Sequence, residues 1–545
     1  MGSAASPPPA SGSPARCVFF NPKKKRRCGM CVKPGATLCG NHARDGDDGA
    51  RVECEHCKTR VTKLASHLRR CPALLHKVQQ ASQPYFVLDV NAGEDDPEDA
   101  RAPTSDARAP TSDDATPAPP RATMPRGDEL RRLARRAMDA CRAAGVAPDA
   151  PAPEPISTPP CDLAMRVQEA ACARAAQGGG GLVAPFNRRH AEQHASIVSH
   201  MVAAGLAGSR DADANTPASD APPSTSRDAA AGPVYVELGA GRGYLAHFLL
   251  DAYGPADLLM VERKSYRFKA ERGIGAAAAA REAEAAERAA RSRAAAGITA
   301  DISDATSSAN PIPDHVVSAE ERAVLDRRAG SSAARLRVDI KDLRLSGADV
   351  VSGRDVVVLG KHLCGAATDL ALRCLLETEP DPGFDPTGVA IATCCHHRCE
   401  WRTYVNRGFF RRLGFDGDDF ARLAKLSSWA CLDQGDGEGE HAGSKKGAKR
   451  DAKRAKTNET EERTEEEGRD DDDEDDDARD DENDDAMTKE EKIRLGRMIK
   501  SLVDQGRLEY LRSRGMEGRV VGYVEPTTSP ENRLLVARAS GKSER

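Results

Sequence analysis

Cysteine and histidine residues at the spacing of metal ligands dominate the first 71 residues of this chain, which hold seven of its 16 cysteines. Zinc favours four thiolate or imidazole ligands in a tetrahedron, and a segment this short needs such an ion to fold. We therefore predict a CCCH-type zinc finger over residues 14–45. Cys31 is an alternative ligand, and free loop cysteines are the non-functional alternative. The predicted ligands follow the pattern C-x10-C-x10-C-x2-H: Cys17, Cys28, Cys39 and His42.

A second group with the same chemistry follows directly. Cys54, Cys57, His67 and Cys71 form the pattern C-x2-C-x9-H-x3-C within residues 51–74. The last two ligands are four residues apart on a predicted helix (LASHLRRC), where side chains at i and i+4 share one face and reach one ion. The sequence thus predicts a second structural zinc site, with His56 as an alternative ligand.

A basic run stands between the first two ligands of the first finger, beside Phe19 and Phe20. Cations that contact phosphates, next to rings that stack on bases, favour RNA or DNA as the partner. A nuclear localisation signal in the same run is the alternative, and the two are compatible. The candidate nucleic-acid-binding residues are Lys23, Lys24, Lys25, Arg26 and Arg27.

A glycine-rich turn in the middle of the chain has the form of a cofactor site. Residues 234–243 read VYVELGAGRG, a predicted strand that leads into a helix (YLAHFLLDAYG). Glycines let the backbone turn sharply and approach a ligand closely. Acids at later strand ends suit a ribose diol and an adenine edge, although they could also be merely solvated. Because features of a nicotinamide site are missing, we expect S-adenosylmethionine to be bound by Glu237, Gly239, Gly241, Gly243, Glu262 and Asp339.

Two later segments put acid–base and nucleophilic groups at the ends of neighbouring predicted strands. One reads GKHLCG (360–365) and the other TCCHHRCE (393–400). The carboxyl ends of adjacent parallel strands open into one crevice, so both segments are expected to face the same substrate. Methyl transfer needs alignment and help in removing a hydroxyl proton. We assign those tasks to Lys361, His362, His396 and His397.

The cysteines of these two segments leave alternatives open. Cys364 and Cys394 could act as nucleophiles in methylation of cytosine C5. Another metal site within residues 394–399 is a second alternative, although adjacent ligands rarely close a tetrahedron together. Cys395 and Cys399 also fit the interpretation of small, buried apolar groups.

The elements that must position these residues follow an α/β pattern. Short apolar runs alternate with helix-like segments at crossover spacing, which predicts a parallel, doubly wound sheet. The predicted strands are 234–238, 257–261, 336–340, 355–359 and 388–392. We assign the catalytic domain to residues 181–433 and 487–545. The remaining segments are interpreted as a mostly disordered linker (80–180) with one possible helix over 129–144, an Ala-rich insert (273–334) and a basic and acidic disordered insert (434–486).

Charge is distributed unevenly along the chain. The formal net charge is −5, but Glu459–Asp485 alone contains 19 acidic and 3 basic residues. Residues 1–80 have 15 basic and 5 acidic residues, a net charge of +10, in the segment of the predicted fingers. The local excess of positive charge therefore supports a nucleic-acid partner that the near-neutral total would argue against.

Apolar runs are all too short to cross a bilayer, and the first 13 residues lack the apolar stretch of a signal peptide. We therefore expect an intracellular protein, in the nucleus, the cytoplasm or both, without a membrane partner. Sixteen cysteines in a reducing compartment are not expected to form a disulfide framework.

Several long motifs occur together and in order. They are RCVFF…KKKRRC…CGNH, the finger ending HLRRC, VELGAGRGYL, GKHLCGAATDLAL, CCHHRCEWRTYV and DQGRLEYLRSRG…YVEPTTSPENRLL. Over residues 16–73, about 186–430 and 488–539, the chain resembles the eukaryotic tRNA:m(4)X modification enzymes. The first finger matches that family's CCCH finger, whereas Cys57 stands where its second finger has a histidine.

The resemblance implies a Rossmann-like, S-adenosylmethionine-dependent methyltransferase fold with two small zinc fingers. It implies methylation of the ribose 2'-hydroxyl of nucleotide 4 in the tRNA acceptor stem. An RNA cytosine-C5 methyltransferase is an alternative, disfavoured because no proline precedes Cys364. An RNA-binding adaptor with an inactive methyltransferase fold is another, disfavoured by the intact glycine turn and Glu262.

Overall fold

The described part of the chain forms two compact units, Met1–Phe86 and Val87–Arg545. The computed structural model describes residues 15–21, 26–32, 35–39, 52–61, 63–94, 124–146, 151–176, 186–208, 232–266, 319–377, 383–435 and 487–540. Residues 436–486 of the predicted insert at 434–486, and most of the insert at 273–334, lie outside these ranges.

The first unit contains two small hairpins and two helices. Strands β1 (Phe20–Asn21) and β2 (Arg26–Arg27) pair antiparallel, as do β3 (Val52–Glu53) and β4 (Arg60–Val61). Helices α1 (Leu64–Leu68) and α2 (Pro72–Ala81) bury none of their residues. Among the described residues of this unit, the buried apolar side chains are cysteines. Metal ions bound by these thiols would take the place of an apolar core.

A seven-stranded mixed sheet forms the second unit. Its strands are β5 (Val234–Leu238), β6 (Asp257–Val261), β7 (Ser332–Leu336), β8 (Asp355–Cys364), β9 (Asp385–Cys394), β10 (Met516–Gly522) and β11 (Arg533–Ala539). Their spatial order is β10-β11-β9-β8-β5-β6-β7, with β11 antiparallel to both neighbours and the other pairs parallel. The direction of winding reverses between β5 and β8, and a crevice opens where the carboxyl ends of such strands diverge.

Helices cover both faces of this sheet. They are α3 (Gly127–Ala143), α4 (Pro159–Ala176), α5 (Arg188–Ala203), α6 (Tyr244–Tyr253), α7 (Ala319–Ala329), α8 (Ala366–Leu376), α9 (Arg407–Arg412), α10 (Gly417–Leu426) and α11 (Lys489–Ser513). Helices α4, α5 and α6 share one core cluster with the sheet, and α3, α10 and α11 share a second, aromatic-rich one. Residues 356–359 of β8 are all buried, as expected of a strand covered on both faces.

The third strand differs from the prediction. It was expected at 336–340, but β7 ends at Leu336 and is preceded by α7, so residues 319–334 of the expected Ala-rich insert belong to the sheet unit. Strand β7 lies at the edge of the sheet, and its sequence SAARL is partly exposed. An edge strand need not be apolar throughout, and the search for apolar runs missed it for that reason.

The expected linker is also more structured than predicted. Helices α3 and α4 both lie inside residues 80–180, and Glu154 N donates a 2.6 Å hydrogen bond to Gly522 O at the end of β10. Helix α3 packs against α11, and its Arg136 pairs with Asp419 of α10 at 2.6 Å. A segment rich in alanine and poor in large apolar residues resembles a disordered linker in its composition. In α3 and α4, however, buried alanine and cysteine side chains pack against neighbouring helices.

Within the described ranges, none of the helices has the length and apolar character needed to span a membrane.

We expect Leu133→Ala in α3 to lower the free energy of unfolding by about 3 kcal/mol, because it leaves a cavity in a packed core. Leu133 is buried in the cluster that α3 shares with α11. Chemical denaturation of the full chain measures the change. Arg132→Ala, at the neighbouring exposed position, is the control and should change stability by less than about 0.5 kcal/mol. Equal, negligible effects of both substitutions would restore the linker interpretation.

Candidate functional site

Three predicted ligands of the first finger lie together. The Sγ atoms of Cys17, Cys28 and Cys39 are all within 4.8 Å of one another, and the Cys28–Cys39 separation is 3.9 Å. Zinc–sulfur bonds of about 2.3 Å give a tetrahedral edge of about 3.8 Å, so these thiols fit one zinc ion. His42 lies outside the described residues, and Cys31 is exposed and outside this group.

All four predicted ligands of the second finger converge. Cys54, Cys57, His67 and Cys71 offer three Sγ atoms and one ring nitrogen within 4.8 Å of one another. Cys54 Sγ and Cys71 Sγ are 3.8 Å apart, and Cys57 Sγ lies 3.2 Å from His67 Nε2. His56 instead lies 3.2 Å from the Glu55 carboxylate. The donor set of three thiols and one imidazole fits a structural zinc ion.

The described part of the basic run lies on the surface of the first hairpin. Arg26 and Arg27 are exposed on β2, and Phe20 of β1, the register partner of Arg27, is 54% exposed. Lys23, Lys24 and Lys25 lie outside the described residues. Exposed guanidinium groups beside an exposed aromatic ring offer phosphate contacts and base stacking on one surface.

The glycine turn joins β5 to α6. Gly239, Gly241 and Gly243 have φ angles of 64°, 50° and 80°, a region that residues with a Cβ rarely adopt. A Cβ on Gly241 would meet no atom within 4 Å, so this side of the turn faces open space. Glu237 is buried and accepts a 3.0 Å hydrogen bond from Ala246 N. This hydrogen bond supports the first turn of α6, and the contact of Glu237 with a cofactor stays a prediction.

The two strand-end acids lie in different surroundings. Glu262 follows β6, and its carboxylate accepts hydrogen bonds of 2.9 Å from both Gly241 N and Lys264 N. Asp339 lies three residues beyond the end of β7 and accepts a 3.1 Å hydrogen bond from Lys341 N, which caps the short turn Ile340–Asp342. The structure therefore brings Glu262 to the glycine turn, whereas Asp339 is engaged by its own turn.

A segment that no sequence motif indicated covers the short turn Ile340–Asp342. Asn91 is buried, and its Nδ2 donates 2.7 Å hydrogen bonds to both Ile340 O and Leu343 O. The backbone N–H of Asp89 donates to Asp342 Oδ1 at 2.8 Å. No motif marks residues 87–91 in the sequence, because their partners lie about 250 residues further along the chain.

Lys361 lies near the carboxyl end of β8 and contacts two histidines of α5. Its Nζ lies 3.0 Å from His190 Nδ1 and 3.2 Å from His194 Nε2, and Lys361 is only 8% exposed. The two histidines are one helical turn apart and share a face of α5. Their i, i+4 spacing was a signal in the sequence, but only the fold identifies Lys361 as their partner.

His362, another predicted catalytic residue, lies at an irregularity in the pairing of β8. His362 is the extra residue of a bulge in β8, because Lys361 pairs with Ala392 and Leu363 pairs with Thr393. Bulges re-aim neighbouring side chains and often occur beside active sites. The side chain of His362 is outside the described part of the structure.

The two predicted histidines after β9 differ in accessibility. His397 is exposed on the short turn His396–Arg398. His396 is 0% exposed, and its Nε2 lies 2.9 Å from Asp504 Oδ1. This burial differs from the expected position of His396 in an open crevice and assigns it to the protein interior.

His396 belongs to a buried network centred on Arg507. Arg507 binds Asp369 of α8 through two hydrogen bonds of 2.6 and 3.2 Å, and its Nη1 lies 3.0 Å from Asp504 Oδ1. Arg533 Nη1 lies 3.8 Å from Asp504 Oδ2. All five side chains are almost fully buried. The two arginines and two aspartates balance in charge. Their contacts connect α8, α11, β11 and the turn after β9.

The pKa values in this network follow from burial and charge. Burial lowers the pKa of His396, so the neutral ring donates from Nε2 to Asp504. Burial by itself would raise the pKa of Asp504, but His396, Arg507 and Arg533 outweigh it and hold that pKa well below its ordinary value. His396 Nδ1 has no hydrogen-bond partner among the described residues.

Three cysteines meet where β8 and β9 end. The Sγ atoms of Cys364, Cys394 and Cys395 lie within 4.8 Å of one another, and Cys364 Sγ is 3.2 Å from Cys394 Sγ. Hydrogen bonds with the other two thiols, together with burial, raise the pKa of Cys394 well above its ordinary value. Cys394 is also buried, and buried thiols are poorly accessible nucleophiles, which disfavours covalent attack on cytosine by this residue.

We expect Arg507→Met to destabilise the chain by about 3–5 kcal/mol, because it leaves two buried carboxylates without their principal partner. Thermal or chemical unfolding of the full chain measures the loss. The matched control is Arg512→Met, an exposed position on the same helix, which should be nearly neutral. If both variants unfold like the parent chain, the network does not carry the stability assigned to it.

Stability should also fall as the pH drops below about 6.5, the ordinary value for histidine. Because the pKa of His396 is lowered in the folded chain, the unfolded chain binds a proton first, and folding weakens on acidification. Denaturation at several pH values between about 5 and 8 measures this slope. His396→Gln should reduce the slope without removing it, since burial also lowers the pKa of His200. Greater stability at acidic pH would contradict the assignment.

Comparison with known proteins connects these features. A family model described as "Methyltransferase TRM13" matches residues 192–538, and one described as "CCCH zinc finger in TRM13 protein" matches residues 15–43. No solved structure matches the chain. The finger match agrees with the cluster of Cys17, Cys28 and Cys39 and supports zinc there.

Similar full-length proteins carry a consistent name. A protein of Mus musculus and one of Homo sapiens, both named "tRNA:m(4)X modification enzyme TRM13 homolog", are 26% and 25% identical, over 97% and 98% of both chains. The "tRNA:m(4)X modification enzyme TRM13" of Eremothecium gossypii is 27% identical over 96% of this chain and 95% of its own. The resemblance predicted from the motifs is thereby confirmed, and the chain belongs to the TRM13 methyltransferase family.

Proposed function

We propose that this chain transfers a methyl group from S-adenosylmethionine to the ribose 2'-hydroxyl of nucleotide 4 in the acceptor stem of tRNA. The observation that carries the proposal is the position of Lys361 and its two histidines at the strand end next to the glycine turn, in a chain of the TRM13 methyltransferase family. The relatives' name, with tRNA and position 4 in it, supports the substrate.

The topology of the sheet supports a Rossmann-like cofactor fold. Numbered along the chain, the five parallel strands lie in the order 3-2-1-4-5, with the glycine turn after the first strand. Ligands of such sheets bind outside the carboxyl ends of the strands where the winding reverses. In this chain that place lies between the ends of β5 and β8.

The residues around the glycine turn fit S-adenosylmethionine. The open side of Gly241 leaves room for a ligand beside the backbone, and the Glu262 carboxylate, which already bonds to Gly241 N, suits a ribose diol. The bound cofactor supplies an electrophilic methyl group on a sulfonium. Gly239 and Glu262 would hold it, and the covering segment 87–91 would support the neighbouring turn.

Lys361 is the residue we assign to the hydroxyl. Gly239 approaches Leu363 so closely that a Cβ on it would lie 2.7 Å from Leu363 Cδ2, so the cofactor turn and the end of β8 are in direct contact. The Lys361 ammonium stabilises the negative charge that develops on the 2'-oxygen, and His190 or His194 holds the proton that leaves it. The 2'-oxygen would receive the methyl group that the cofactor supplies, with the demethylated cofactor as leaving group and the hydroxyl proton passing to the histidine.

The basic finger unit supplies the surface for RNA. Double-stranded RNA is recognised largely through its shape, its phosphates and its 2'-hydroxyl groups, which Arg26 and Arg27 can contact without reading sequence. Exposed Phe20 adds an aromatic face for an unpaired base. These contacts suit a stem close to a single-stranded end.

The test is nucleoside mass spectrometry of tRNA incubated with the full chain and S-adenosylmethionine. We expect a 2'-O-methylated nucleoside at position 4. In the same assay, Lys361→Met should lower kcat about 100-fold, the size of effect associated with losing one group that stabilises a developing oxyanion. Binding of S-adenosylmethionine, measured by calorimetry, should remain unchanged, because Lys361 is assigned to the acceptor.

Arg512→Met is the control and should retain full activity, since the side chain is exposed on α11. A methyl group on a base would refute the ribose assignment, and a covalent adduct with 5-fluorocytosine RNA would favour cytosine chemistry instead. Unchanged kcat in Lys361→Met would remove that residue from the mechanism while leaving the reaction itself intact.

A further inference from the structure

We propose that Cys364, Cys394 and Cys395 form a third metal site, which takes a thiophilic divalent cation such as zinc. The site lies in the methyltransferase unit, at the shared end of β8 and β9, and is independent of the two finger clusters. It joins the segments 360–365 and 393–400, which are expected to face one substrate and which we call the reaction edge.

The sulfur geometry matches that of the finger clusters. In all three groups the candidate ligand atoms lie within 4.8 Å of one another. The 3.2 Å separation of Cys364 Sγ and Cys394 Sγ is far longer than a disulfide bond of about 2.05 Å. It is shorter than the ideal zinc tetrahedral edge of about 3.8 Å by an amount that side-chain rotation can absorb.

The backbone is arranged to bring the three thiols together. Cys364 and Cys394 are register partners on adjacent parallel strands. Consecutive residues of a strand point to opposite faces, so Cys395 would normally point away from Cys394. It does not, because Cys395 has a φ of 46°, in the left-handed region. This conformation is strained for a residue other than glycine, and strained residues are concentrated at functional sites.

Gly365 supports the same arrangement from the other strand. Its φ is 54°, and a Cβ at this position would lie 2.3 Å from Arg398 O, so only glycine lets the two strand-end segments touch. Gly365 N also donates a hydrogen bond of 3.2 Å to Cys394 O. The peptide segments that carry the three thiols are thus held against each other by close backbone contact.

The charge of the surroundings suits a thiolate-rich ion. Each cysteine binds as a thiolate and releases its proton to solvent, so three thiolates with one divalent cation carry a net charge of −1. Arg398 lies three residues after Cys395, and its guanidinium group acts electrostatically on both Cys364 and Cys395. Cationic neighbours stabilise an anionic metal centre.

The ligand set leaves one position of the tetrahedron for a further ligand. Among the described residues, the group contains three donors, and Cys364 and Cys395 are partly exposed while Cys394 is buried. Zinc sites with three protein ligands keep the fourth position for water or another exchangeable group. The site therefore cross-links the ends of β8 and β9 on one side and faces solvent on the other.

A disulfide between Cys364 and Cys394 is the competing use of these thiols. It would employ two of the three sulfurs and leave the strained conformation of Cys395 without a purpose. A single metal ion uses all three, and we favour it for that reason.

The test measures zinc per chain by mass spectrometry of the metal in the full-length protein, purified under reducing conditions. We expect three zinc ions in the parent chain, one for each cysteine group, and two in Cys364→Ser or Cys395→Ser. Cys54→Ser should also lose one ion, which shows that single sites are counted. Cys172→Ser, a partly exposed cysteine of α4 outside all three groups, is the matched control and should retain three.

A second measurement covers variants that fold poorly. In a full chain with Cys28→Ser and Cys54→Ser, added Co²⁺ should produce a thiolate-to-cobalt charge-transfer band, and a further Cys395→Ser should abolish it. Two zinc ions in the parent chain, with no cobalt band in the finger variant, would overturn the proposal. So would a reductant-sensitive loss of two hydrogens from an intact-mass spectrum that maps to Cys364 and Cys394.

Discussion

The buried contact between Arg507 and its two aspartates determines how the reaction edge is assembled. Asp369 follows β8, His396 follows β9, and Asp504 and Arg507 lie on the long helix α11. Removing charges from water is costly, and the cost is offset only when every charge is paired and hydrogen-bonded in good geometry. That requirement leaves the ends of β8 and β9 little freedom, because both must meet the same arginine or its partner.

The second unit also brings together the segments on the two sides of the long acidic insert between residues 435 and 487. The 3-10 segment Ser427–Gly435 before the insert packs against α11, which begins directly after it with a capping box at Thr488 and Glu491. The described segments that precede and follow residues 436–486 therefore pack against each other. Since Arg507 lies beyond the insert, the residues of the reaction edge and their support are brought together by tertiary packing alone.

The residues of the reaction edge and its surroundings come from several elements of the second unit. Lys361 and its two histidines come from β8 and α5, the glycine turn comes from β5, and the three thiols close the ends of β8 and β9. The bulge at His362 lies between Lys361 and Cys364 and changes which side chains face the same side. In the finger unit, by contrast, the described buried apolar side chains are cysteines, and Arg26, Arg27 and Phe20 are exposed.

Local sequence patterns were enough to predict the sites whose residues lie close together along the chain. The metal ligands of the second finger lie within 18 residues of one another, and the glycine turn follows its strand directly, so spacing alone identified them. Strands β5 and β6 were found because buried parallel strands are apolar throughout, and α3 was expected as a possible helix, whereas the polar edge strand β7 and helix α4 were missed. Only the tertiary structure decided that His190 and His194 meet Lys361, that His396 is buried against Asp504, and that three cysteines converge. Those contacts join residues 30 to 171 positions apart, and packing and charge pairing across the folded core, which no local pattern encodes, select them.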